Sequence, residues 1–326
     1  MTHRQLSRQQ LRRVHHRQAQ RWAQISEPTP SNAAATGLII SYYGKIAVVE
    51  TPERQLVRCT LRRHIPALAC GDWVVWEPQP DGQGVITALQ PRQSLLERPD
   101  ARGQSRPVAA NIDQIAVILA PRPEPSELLL DGYLVAIEAI EVNALVVLNK
   151  VDLLTAAELA VWAERLALYS SMGYALIHTS TRQTEGLTAL TDALAGHSSL
   201  LVGQSGVGKS SLIKTLLPER SIAIQSLSAR TGLGAHTTSV STLYHLPSGG
   251  DLIDSPGVRS FDPPRLDAPR LAWCFREFRP FLSHCRFANC THTAEPDCAV
   301  HRAVEHGAIH PQRLHNYQIW YSTFQS

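Results

Sequence analysis

Apolar and polar positions follow a short-period pattern between residue 36 and about residue 98. The apolar runs are short and rich in β-type residues, and Gly, Pro or Asp separates each run from the next. Short strands of even spacing are typical of a small closed β-barrel such as the OB-fold. The predicted strands are residues 37–40, 45–49, 55–59, 72–76 and 84–89.

Aromatic residues within this predicted barrel allow two interpretations. Barrels of this kind commonly bind oligonucleotides, and aromatic side chains then stack on the bases. The alternative is a structural barrel whose aromatic side chains belong to its core. The residues concerned are Tyr42, Tyr43, Trp73 and Trp76.

From residue 106 the pattern changes to alternating buried strands and amphipathic helices. Nearly continuous apolar runs at 113–120 and 144–148 predict strands that are covered on both sheet faces. Apolar residues at helical spacing predict a helix over 126–141, and Thr155 with Glu158 forms a capping box that begins the next helix. This alternation favours a doubly wound, mainly parallel α/β sheet.

The two ends of the chain differ from this middle part. Residues up to about 35 form an Arg/Gln-rich arm, and after residue 263 the composition shifts to Arg, His, Phe and Cys. The last segment is too short for a large core and needs a metal to fold. The predicted domains are a flexible basic arm (1–35), an OB-fold barrel (36–105), an α/β phosphate-loop domain (106–262) and a small, mainly helical metal-binding domain (263–326).

Composition is that of a globular chain of two or three domains. Of its 326 residues, 44% are hydrophobic and 18% are charged, which excludes a disordered protein. No apolar run is long enough to cross a bilayer, and the N-terminus lacks a secretory signal, so a cytoplasmic protein is expected. The net charge is only +3, yet six arginines precede the first acidic residue, Glu27. This basic arm is either an RNA contact or a solvated tail.

A glycine-rich phosphate loop follows the strand predicted at 199–202 and opens a helix. Its backbone N–H groups turn toward the phosphates, and the helix N-terminus adds partial positive charge. Lys209 supplies a charge to the β- and γ-phosphate oxygens, and the Ser210 hydroxyl is placed to ligate Mg²⁺. The predicted nucleotide-binding residues of this loop are Gly203, Gln204, Ser205, Gly206, Val207, Gly208, Lys209, Ser210 and Ser211.

A second motif, Asn149-Lys150-Val151-Asp152, indicates that the base is guanine. The Asp152 carboxylate can accept hydrogen bonds from guanine N1–H and the exocyclic amine, whereas adenine would leave it unpaired. Sites of this kind discriminate by ~10⁴-fold or more. Lys150 would lay its stem over the base or ribose. Ser180, in the run 179–181 after the next strand, can offer a backbone N–H to guanine O6.

Two further segments resemble the switch regions of a GTPase. Asp254 ends a short predicted strand and would hold Mg²⁺ through water, and the N–H of Gly257 in switch II would sense the γ-phosphate. Residues 226–241 are small and without apolar periodicity. They resemble a switch I that GTP orders, in which Thr237 or Thr238 ligates Mg²⁺.

The water-positioning group of many GTPases is absent. Val258 stands where a Gln commonly follows the switch II glycine, and an apolar side chain cannot orient water. Slow intrinsic turnover is therefore expected. His236, just before the two threonines, either acts in catalysis or is an exposed loop histidine.

A metal site is predicted near the C-terminus, where three thiolates and one imidazole lie within fourteen residues. Such a closed set suits structural zinc and leaves no open position for catalysis. Zinc would contribute ~10 kcal/mol to the folding of this segment. The ligands are Cys285, Cys290, His292 and Cys298, with His284, His301 and His306 as alternative imidazoles. The neighbouring aromatic residues are interpreted as a small core around the metal: Trp273, Phe275, Phe278, Phe281 and Phe287.

In their order along the chain, these motifs resemble the circularly permuted, ribosome-small-subunit-dependent GTPases of the RsgA (YjeQ) family. The guanine motif precedes the phosphate loop, whereas in an ordinary GTPase it comes last. The resemblance covers nearly the whole chain, including the arm, the barrel, the run 234–238 and the Cys/Cys/His/Cys cluster.

The resemblance implies Mg²⁺-dependent hydrolysis of GTP that the small ribosomal subunit stimulates, in late maturation of that subunit and release of the factor. The barrel and the zinc domain would embrace the subunit, the arm would touch rRNA, and His236 would inherit the family's proposed catalytic role. A monomer without a membrane partner is expected.

The residues also leave two other hypotheses to weigh. One is a phosphate-loop kinase with a metal-stapled lid, against which Asn149 and Asp152 argue. The other is an RNA-binding module with a relic nucleotide site, against which the intact Lys209, Ser210 and Asp254 argue. In the permuted order, switch II runs almost directly into the zinc segment. This connectivity gives the hypothesis that the γ-phosphate sensor is coupled to the domain that holds the ribosome.

Overall fold

The computed structural model describes residues 34–99, 104–218, 241–255 and 263–325. The chain divides into two units. Among the described residues, the first unit comprises those up to 112 with 218, 241–245 and 252–255, and the second comprises 113–217, 246–251 and 263–325. The basic arm and the switch residues His236, Thr237, Thr238, Gly257 and Val258 lie outside the described residues.

The first unit contains a closed five-stranded barrel, as the alternation predicted. Its sheet order is β1-β2-β3-β5-β4, and pairing of β1 with β4 closes the barrel. All neighbouring strands are antiparallel except β3 and β5. Inward-facing residues such as Ile39, Val49 and Ile86 are fully buried. The strands are β1 (Ala35–Tyr42), β2 (Ile46–Glu50), β3 (Leu56–Leu61), β4 (Trp73–Pro78) and β5 (Gly84–Leu89).

The barrel aromatics divide between core and surface. Trp76 is buried in the barrel core, whereas 43% of Trp73 is exposed. Tyr42 and Tyr43 are half-buried. Trp76 is therefore a core residue, and Trp73 is the aromatic side chain of the four that is most available for stacking.

A hairpin that the sequence pattern did not predict follows the barrel. Strand β6 (Leu95–Pro99) pairs antiparallel with β7 (Ser105–Ala110). The backbone N–H of Ala110 donates to the carbonyl oxygen of Cys70 at 2.8 Å, which ties β7 to the barrel loop. The predicted boundary between residues 105 and 106 lies in β7, and the division into four domains stays a prediction.

Parallel strands form the sheet of the second unit, as predicted. The order is β10-β9-β8-β11, and each neighbouring pair is parallel. Every residue of β8 is buried. The strands are β8 (Gln114–Leu119), β9 (Asn143–Leu148), β10 (Ala175–His178) and β11 (Ser198–Val202). Because parallel strands share their direction, the loops after β8, β9, β10 and β11 leave the same edge of the sheet.

Helices follow these strands at the predicted places. The capping box is confirmed: the Thr155 hydroxyl accepts from the Glu158 N–H, and the Glu158 carboxylate accepts from the Thr155 N–H. The helices are α1 (Glu127–Ala139), α2 (Ala156–Ser171), α3 (Thr184–Leu194) and α4 (Lys209–Leu216). None of the helices in the described ranges is both long and apolar enough to cross a bilayer.

The C-terminal segment (residues 263–325) is mainly helical, as predicted, but it shares its apolar core with helix α1. Phe275, Phe278 and Tyr317 pack in one buried cluster with Val135 of α1. Trp273 and Phe287 were predicted to belong to this core, and they do not, because 52% and 40% of them are exposed. The helices of the segment are α5 (Ala268–Cys274), α6 (Arg279–Leu282), α7 (Ala299–Glu305) and α8 (Pro311–Gln325).

Buried ion pairs hold this segment to helix α1. Asp131 is fully buried and pairs with Arg313 of α8, which is itself 1% exposed. Asn316 Nδ2 donates to the other Asp131 oxygen at 2.7 Å, and the Tyr169 hydroxyl donates to Oδ1 at 2.9 Å. Arg313 also donates to Glu277 at 2.5 Å. Because each buried charge has partners, the cost of removing it from water is offset.

Seven residues along α1, a second carboxylate repeats this arrangement. Glu138 accepts from Arg276 Nε at 2.6 Å and from Arg279 at 2.5 Å. Positions seven apart lie on the same face of a helix. One face of α1 is therefore an acidic stripe that binds arginines of the C-terminal segment.

Removal of Asp131 should destabilise the second unit strongly. In Asp131→Ala the Arg313 guanidinium stays buried with one carboxylate fewer, and breaking a buried pair costs about 3–5 kcal/mol of unfolding free energy. Glu124→Ala is the control, because Glu124 is 67% exposed and Arg165 keeps its contact with Glu127. That change should cost less than about 1 kcal/mol. Urea unfolding followed by circular dichroism gives the unfolding free energy of both variants. Equal losses of stability would contradict a stabilising role for the buried Asp131–Arg313 pair.

Candidate functional site

The predicted phosphate loop (residues 203–210) connects β11 to helix α4. Gly208 caps the helix with φ at 98°, in the left-handed region that favours glycine. Gly203 has φ at 142°, and a Cβ there would lie 2.3 Å from the Ile118 carbonyl oxygen. The loop can therefore adopt this path only with glycine at both positions.

Lys209 lies inside the turn of this loop. Its Nζ donates to the carbonyl oxygens of Gly203 at 2.5 Å and of Gln204 at 2.7 Å. Ser210 and Ser211 follow in the first turn of α4, where they are exposed. The helix N-terminus adds partial positive charge at the same place. An anion here would meet an ammonium group, backbone N–H donors and hydroxyl groups together.

The guanine loop (residues 149–152) contacts the phosphate loop directly. Asn149, 1% exposed at the end of β9, donates from Nδ2 to the Val207 carbonyl oxygen at 2.9 Å. Lys150 donates from Nζ to the Gly206 carbonyl oxygen at 2.5 Å. Two motifs that are separated in sequence therefore lie in direct contact.

Asn149 also presents an acceptor for a ligand. Within the described part of the chain, its Oδ1 is buried and has no hydrogen-bond partner. Buried polar atoms nearly always have a partner in folded proteins. The unpartnered Asn149 oxygen therefore favours a ligand that places a hydrogen-bond donor at this position.

Asp152 is oriented by the neighbouring loop. The Ser180 hydroxyl donates to Asp152 Oδ1 at 2.5 Å, and the Arg182 backbone N–H donates to the Ser180 hydroxyl at 3.1 Å. The Arg182 guanidinium lies 3.7 Å from the other Asp152 oxygen. Sequence reasoning missed Arg182, although it directly follows the run 179–181. The carboxylate is thus fixed before any base binds.

The remaining predicted nucleotide residues are only partly described. Asp254 ends β13 (Asp251–Asp254), at the predicted place. His236, Thr237, Thr238 and Gly257 lie outside the described residues, so their roles stay predictions. The roles of the other site residues also stay predictions, because geometry alone does not assign them.

The Cys₃His set converges at one point in the C-terminal segment. The ligand atoms of Cys285, Cys290, His292 and Cys298 all lie within 4.8 Å of one another. His292 Nδ1 is 3.6 Å from the Cys285 sulfur and 3.4 Å from the Cys298 sulfur. A tetrahedral zinc with bonds of about 2.3 Å to sulfur and 2.0 Å to nitrogen gives an edge of about 3.5 Å. The donor set and its spacing therefore fit one zinc ion.

Two of the alternative imidazoles make other contacts. His301 Nε2 bonds the His292 carbonyl oxygen at 3.0 Å, and His284 Nδ1 bonds the Pro280 carbonyl oxygen at 3.0 Å. Of the described histidines, only His292 belongs to the cluster of candidate metal ligands. His301 thus supports the ligand loop instead of replacing His292.

Glu295, which sequence reasoning missed, organises the ligand loop. Its carboxylate accepts from the Thr291 N–H at 2.7 Å, the Thr291 hydroxyl at 2.5 Å and the Thr293 N–H at 3.0 Å. Burial raises the pKa of Glu295, but the hydrogen bonds from Thr291, from its own backbone and from Thr293 together outweigh burial and lower the pKa to about 2. The charged carboxylate therefore closes the loop that carries His292.

Known proteins resemble this chain in sequence. The sequence model of the RsgA GTPase family matches residues 89–264. The small ribosomal subunit biogenesis GTPase RsgA of Hahella chejuensis is 48% identical over 290 residues, which cover 88% of this chain and 83% of the relative. The corresponding protein of Proteus mirabilis is 44% identical over 332 aligned positions, which cover 97% of this chain and 94% of the relative.

Two solved structures resemble the chain over nearly its whole length. The crystal structure of YjeQ from Thermotoga maritima has a TM-score of 0.75 at 30% identity, and the match covers 90% of this chain and 99% of that chain. YloQ, described as a circularly permuted GTPase, has a TM-score of 0.72 at 25% identity. That match covers 92% of this chain and 98% of the other.

Gly208→Ala should disrupt the contact between the two nucleotide loops. The added Cβ would lie 2.4 Å from Asn149 Nδ2, and the left-handed backbone costs an L-residue roughly 1–2 kcal/mol. GDP affinity, measured by fluorescence titration, should fall at least about tenfold, which corresponds to 1.4 kcal/mol. Gly82→Ala is the control, because Gly82 has φ at +76° but nothing within 4 Å. An equal loss in the control would sink this explanation.

Zinc content should distinguish the candidate ligands. The purified chain should carry one zinc, Cys290→Ser should lose it, and His284→Ala should retain it, because the His284 ring contacts Pro280 instead of the cluster. The ligand variant should also unfold the segment, since structural zinc contributes ~10 kcal/mol. Mass spectrometric metal analysis gives the content, and limited proteolysis gives the folding. Full zinc content in the Cys290 variant would refute the assignment.

Proposed function

Because this chain belongs to the RsgA GTPase family, we propose that it acts in late maturation of the small ribosomal subunit. The chain is a GTP-hydrolysing enzyme, as its family is. In our proposal the subunit stimulates hydrolysis of GTP to GDP and phosphate, and hydrolysis releases the factor.

One observation carries the guanine assignment. Asn149 and Lys150 of the guanine loop donate to carbonyl oxygens of Val207 and Gly206 in the phosphate loop. A base at Asp152 and phosphates at Lys209 would then be parts of a single ligand. Asp152, fixed by Ser180, would accept from guanine N1–H and the exocyclic amine.

Phosphate chemistry in this proposal is mainly electrostatic. Lys209 and the phosphate-loop N–H groups stabilise the charge that develops on the β- and γ-phosphate oxygens. Mg²⁺ would be held by Ser210, by Thr238 (or Thr237) and, through water, by Asp254, and when bound it neutralises phosphate charge. The exposed hydroxyl of Ser210 at the start of α4 fits that role.

Water activation is the part that needs the subunit. Val258 cannot orient a water molecule, so we assign the water to His236 once the switch regions are ordered. A side chain that acts only in an ordered loop gives low basal turnover and strong stimulation by a partner. A zinc ion held by Cys285, Cys290, His292 and Cys298 would be structural, because four protein ligands would leave no open position.

The partner in this proposal is rRNA of the small subunit. Trp73 on the barrel is exposed, and the C-terminal segment carries two exposed aromatic side chains beside arginines, Trp273 with Arg279 and Phe287 with Arg286. Exposed aromatic side chains beside arginine suit stacking on unpaired bases. The predicted arm would add phosphate contacts. We place the protein in the cytoplasm as a monomer.

GTP turnover with and without purified small subunits, measured over a salt series, tests the proposal. Subunits should raise kcat about 100-fold, the scale that one completed stabilising group contributes. Deletion of residues 1–27 should weaken subunit binding and flatten its salt dependence, by about 0.9 in slope for each phosphate that the arm would otherwise neutralise. Turnover that subunits leave unchanged would refute the proposed function. An unchanged salt dependence of subunit binding would indicate that the arm is only a solvated tail.

A further inference from the structure

The strand that follows the predicted switch I belongs to the barrel unit. β12 (Thr242–His245) begins directly after residues 226–241 and pairs antiparallel with barrel strand β1, with Ser41 opposite Thr242. β13 lies next to β12 in the same sheet order and ends at Asp254, where switch II is predicted to begin. Barrel strand β1 therefore supports the strand at which one predicted switch segment ends.

A side-chain contact reinforces this pairing. His245 Nε2 on β12 lies 2.7 Å from Glu50 Oε2 on β2, although 195 residues separate them. The side chain of Glu50 is only 12% exposed, whereas its other partner, Arg54, is 64% exposed and 3.4 Å away. Hydrogen bonds to an ionised group are stronger than neutral ones, and a half-buried one is less screened by solvent. The contact with His245 is thus the stronger of the two.

The ends of the two predicted switches are also linked to each other. Ser241, the last residue of the predicted switch I, shares a hydrogen bond of 2.9 Å with the hydroxyl of Ser255, which follows Asp254. Any shift of β12 along the barrel must break the Glu50–His245 contact and change the pairing of Ser41 with Thr242. A strand changes register in discrete steps, because neighbouring side chains alternate between faces. Such an element has separate states instead of a continuous range of positions.

We propose that Glu50 and His245 are positioning residues that couple the barrel to hydrolysis. The pair fixes the strand at which switch I ends, so a ligand on the barrel changes how often the switch regions reach the hydrolytic arrangement. By linkage, the nucleotide bound must change the barrel in return. That the ligand on the barrel is subunit rRNA rests on the proposed function; the coupling itself does not.

Turnover measurements test whether the Glu50–His245 pair couples the barrel to hydrolysis. Glu50→Ala and His245→Ala should each lower subunit-stimulated kcat about fivefold, the lower end of usual coupling, and leave the KM for GTP and the affinity for GDP unchanged. The double variant should lose no more than either single one, because both remove the same contact. Arg54→Gln is the matched control, since it removes only the exposed partner of the same carboxylate, and its kcat should stay that of the wild type. Additive losses, or a loss in the control, would overturn the proposal.

Hydrogen exchange on the isolated protein, without ribosomes, tests whether the bound nucleotide changes the barrel. Backbone amides of β2 and β12 should exchange at different rates with GDP and with a non-hydrolysable GTP analogue, and Glu50→Ala should abolish the difference. Equal exchange in the wild type would overturn the coupling, even where subunits stimulate turnover. A clear difference without stimulation would keep the coupling and refute the proposed function.

Two further variants guard against simple loss of folding. Glu50→Gln keeps an oxygen that can accept from His245, so it should retain at least half of the exchange difference. If Glu50→Ala does not fold, His245→Ala replaces it, because the His245 side chain is 33% exposed and tolerates truncation better. A folded Glu50→Gln or His245→Ala variant that behaves contrary to these expectations would overturn the proposal.

Discussion

The buried hydrogen bond from the Asn149 amide to the Val207 carbonyl oxygen, beside the one from Lys150 to Gly206, joins the two halves of the predicted nucleotide site. It is possible because β9 and β11 both flank β8 in a parallel sheet, so the loops that follow them emerge at the same edge. The contact depends on the order of strands in space and not on their order in the chain. A permuted chain can therefore keep the site, provided that Gly208 leaves room for the Asn149 amide.

The C-terminal segment is attached on the guanine side of the second unit. Its arginines bind Asp131 and Glu138 on α1, and α1 leads through β9 into Asn149. From the motif order alone, the segment is connected to the predicted switch II, since it follows that motif in the chain. The ion pairs show a second connection, through packing instead of sequence. Because removing one partner of a buried ion pair costs several kcal/mol of stability, this attachment is strong.

Sequence patterns predicted the parts of the fold that local rules govern. Alternation located the barrel strands, the capping box located Thr155, and the glycine spacing located the phosphate loop. The hairpin of β6 and β7 escaped because Pro99 and Pro107 and several charges interrupt the alternation. Arg313 and Asp131 escaped for another reason: a charged residue normally predicts exposure, and nothing local marks a pair 182 positions apart as buried.

The candidate site likewise contains residues that local sequence rules predict and residues that only the tertiary structure reveals. Ligand sets with fixed spacing, such as Cys285 to Cys298, are visible in sequence because the chemistry of zinc restricts residue type and number. Arg182, Glu295 and the contact between Glu50 and His245 depend on tertiary position, and each supports a recognisable motif without belonging to it. The exposure of Trp273 and Phe287 is likewise a property of packing, since an aromatic residue near a metal is as consistent with core as with surface.

The barrel and the C-terminal segment thus contact elements that lead to different parts of the predicted catalytic apparatus. The barrel contacts β12, which leads back to the predicted switch I, whereas the C-terminal segment contacts α1, which leads on to the guanine loop. The first contact includes the Glu50–His245 pair and a short strand pairing, and the second includes a buried network with an apolar cluster. Weakly held elements open more readily than densely packed ones. We therefore expect β12 to open more readily than helix α1, so a partner would act more easily on the predicted switch side than on the predicted guanine side.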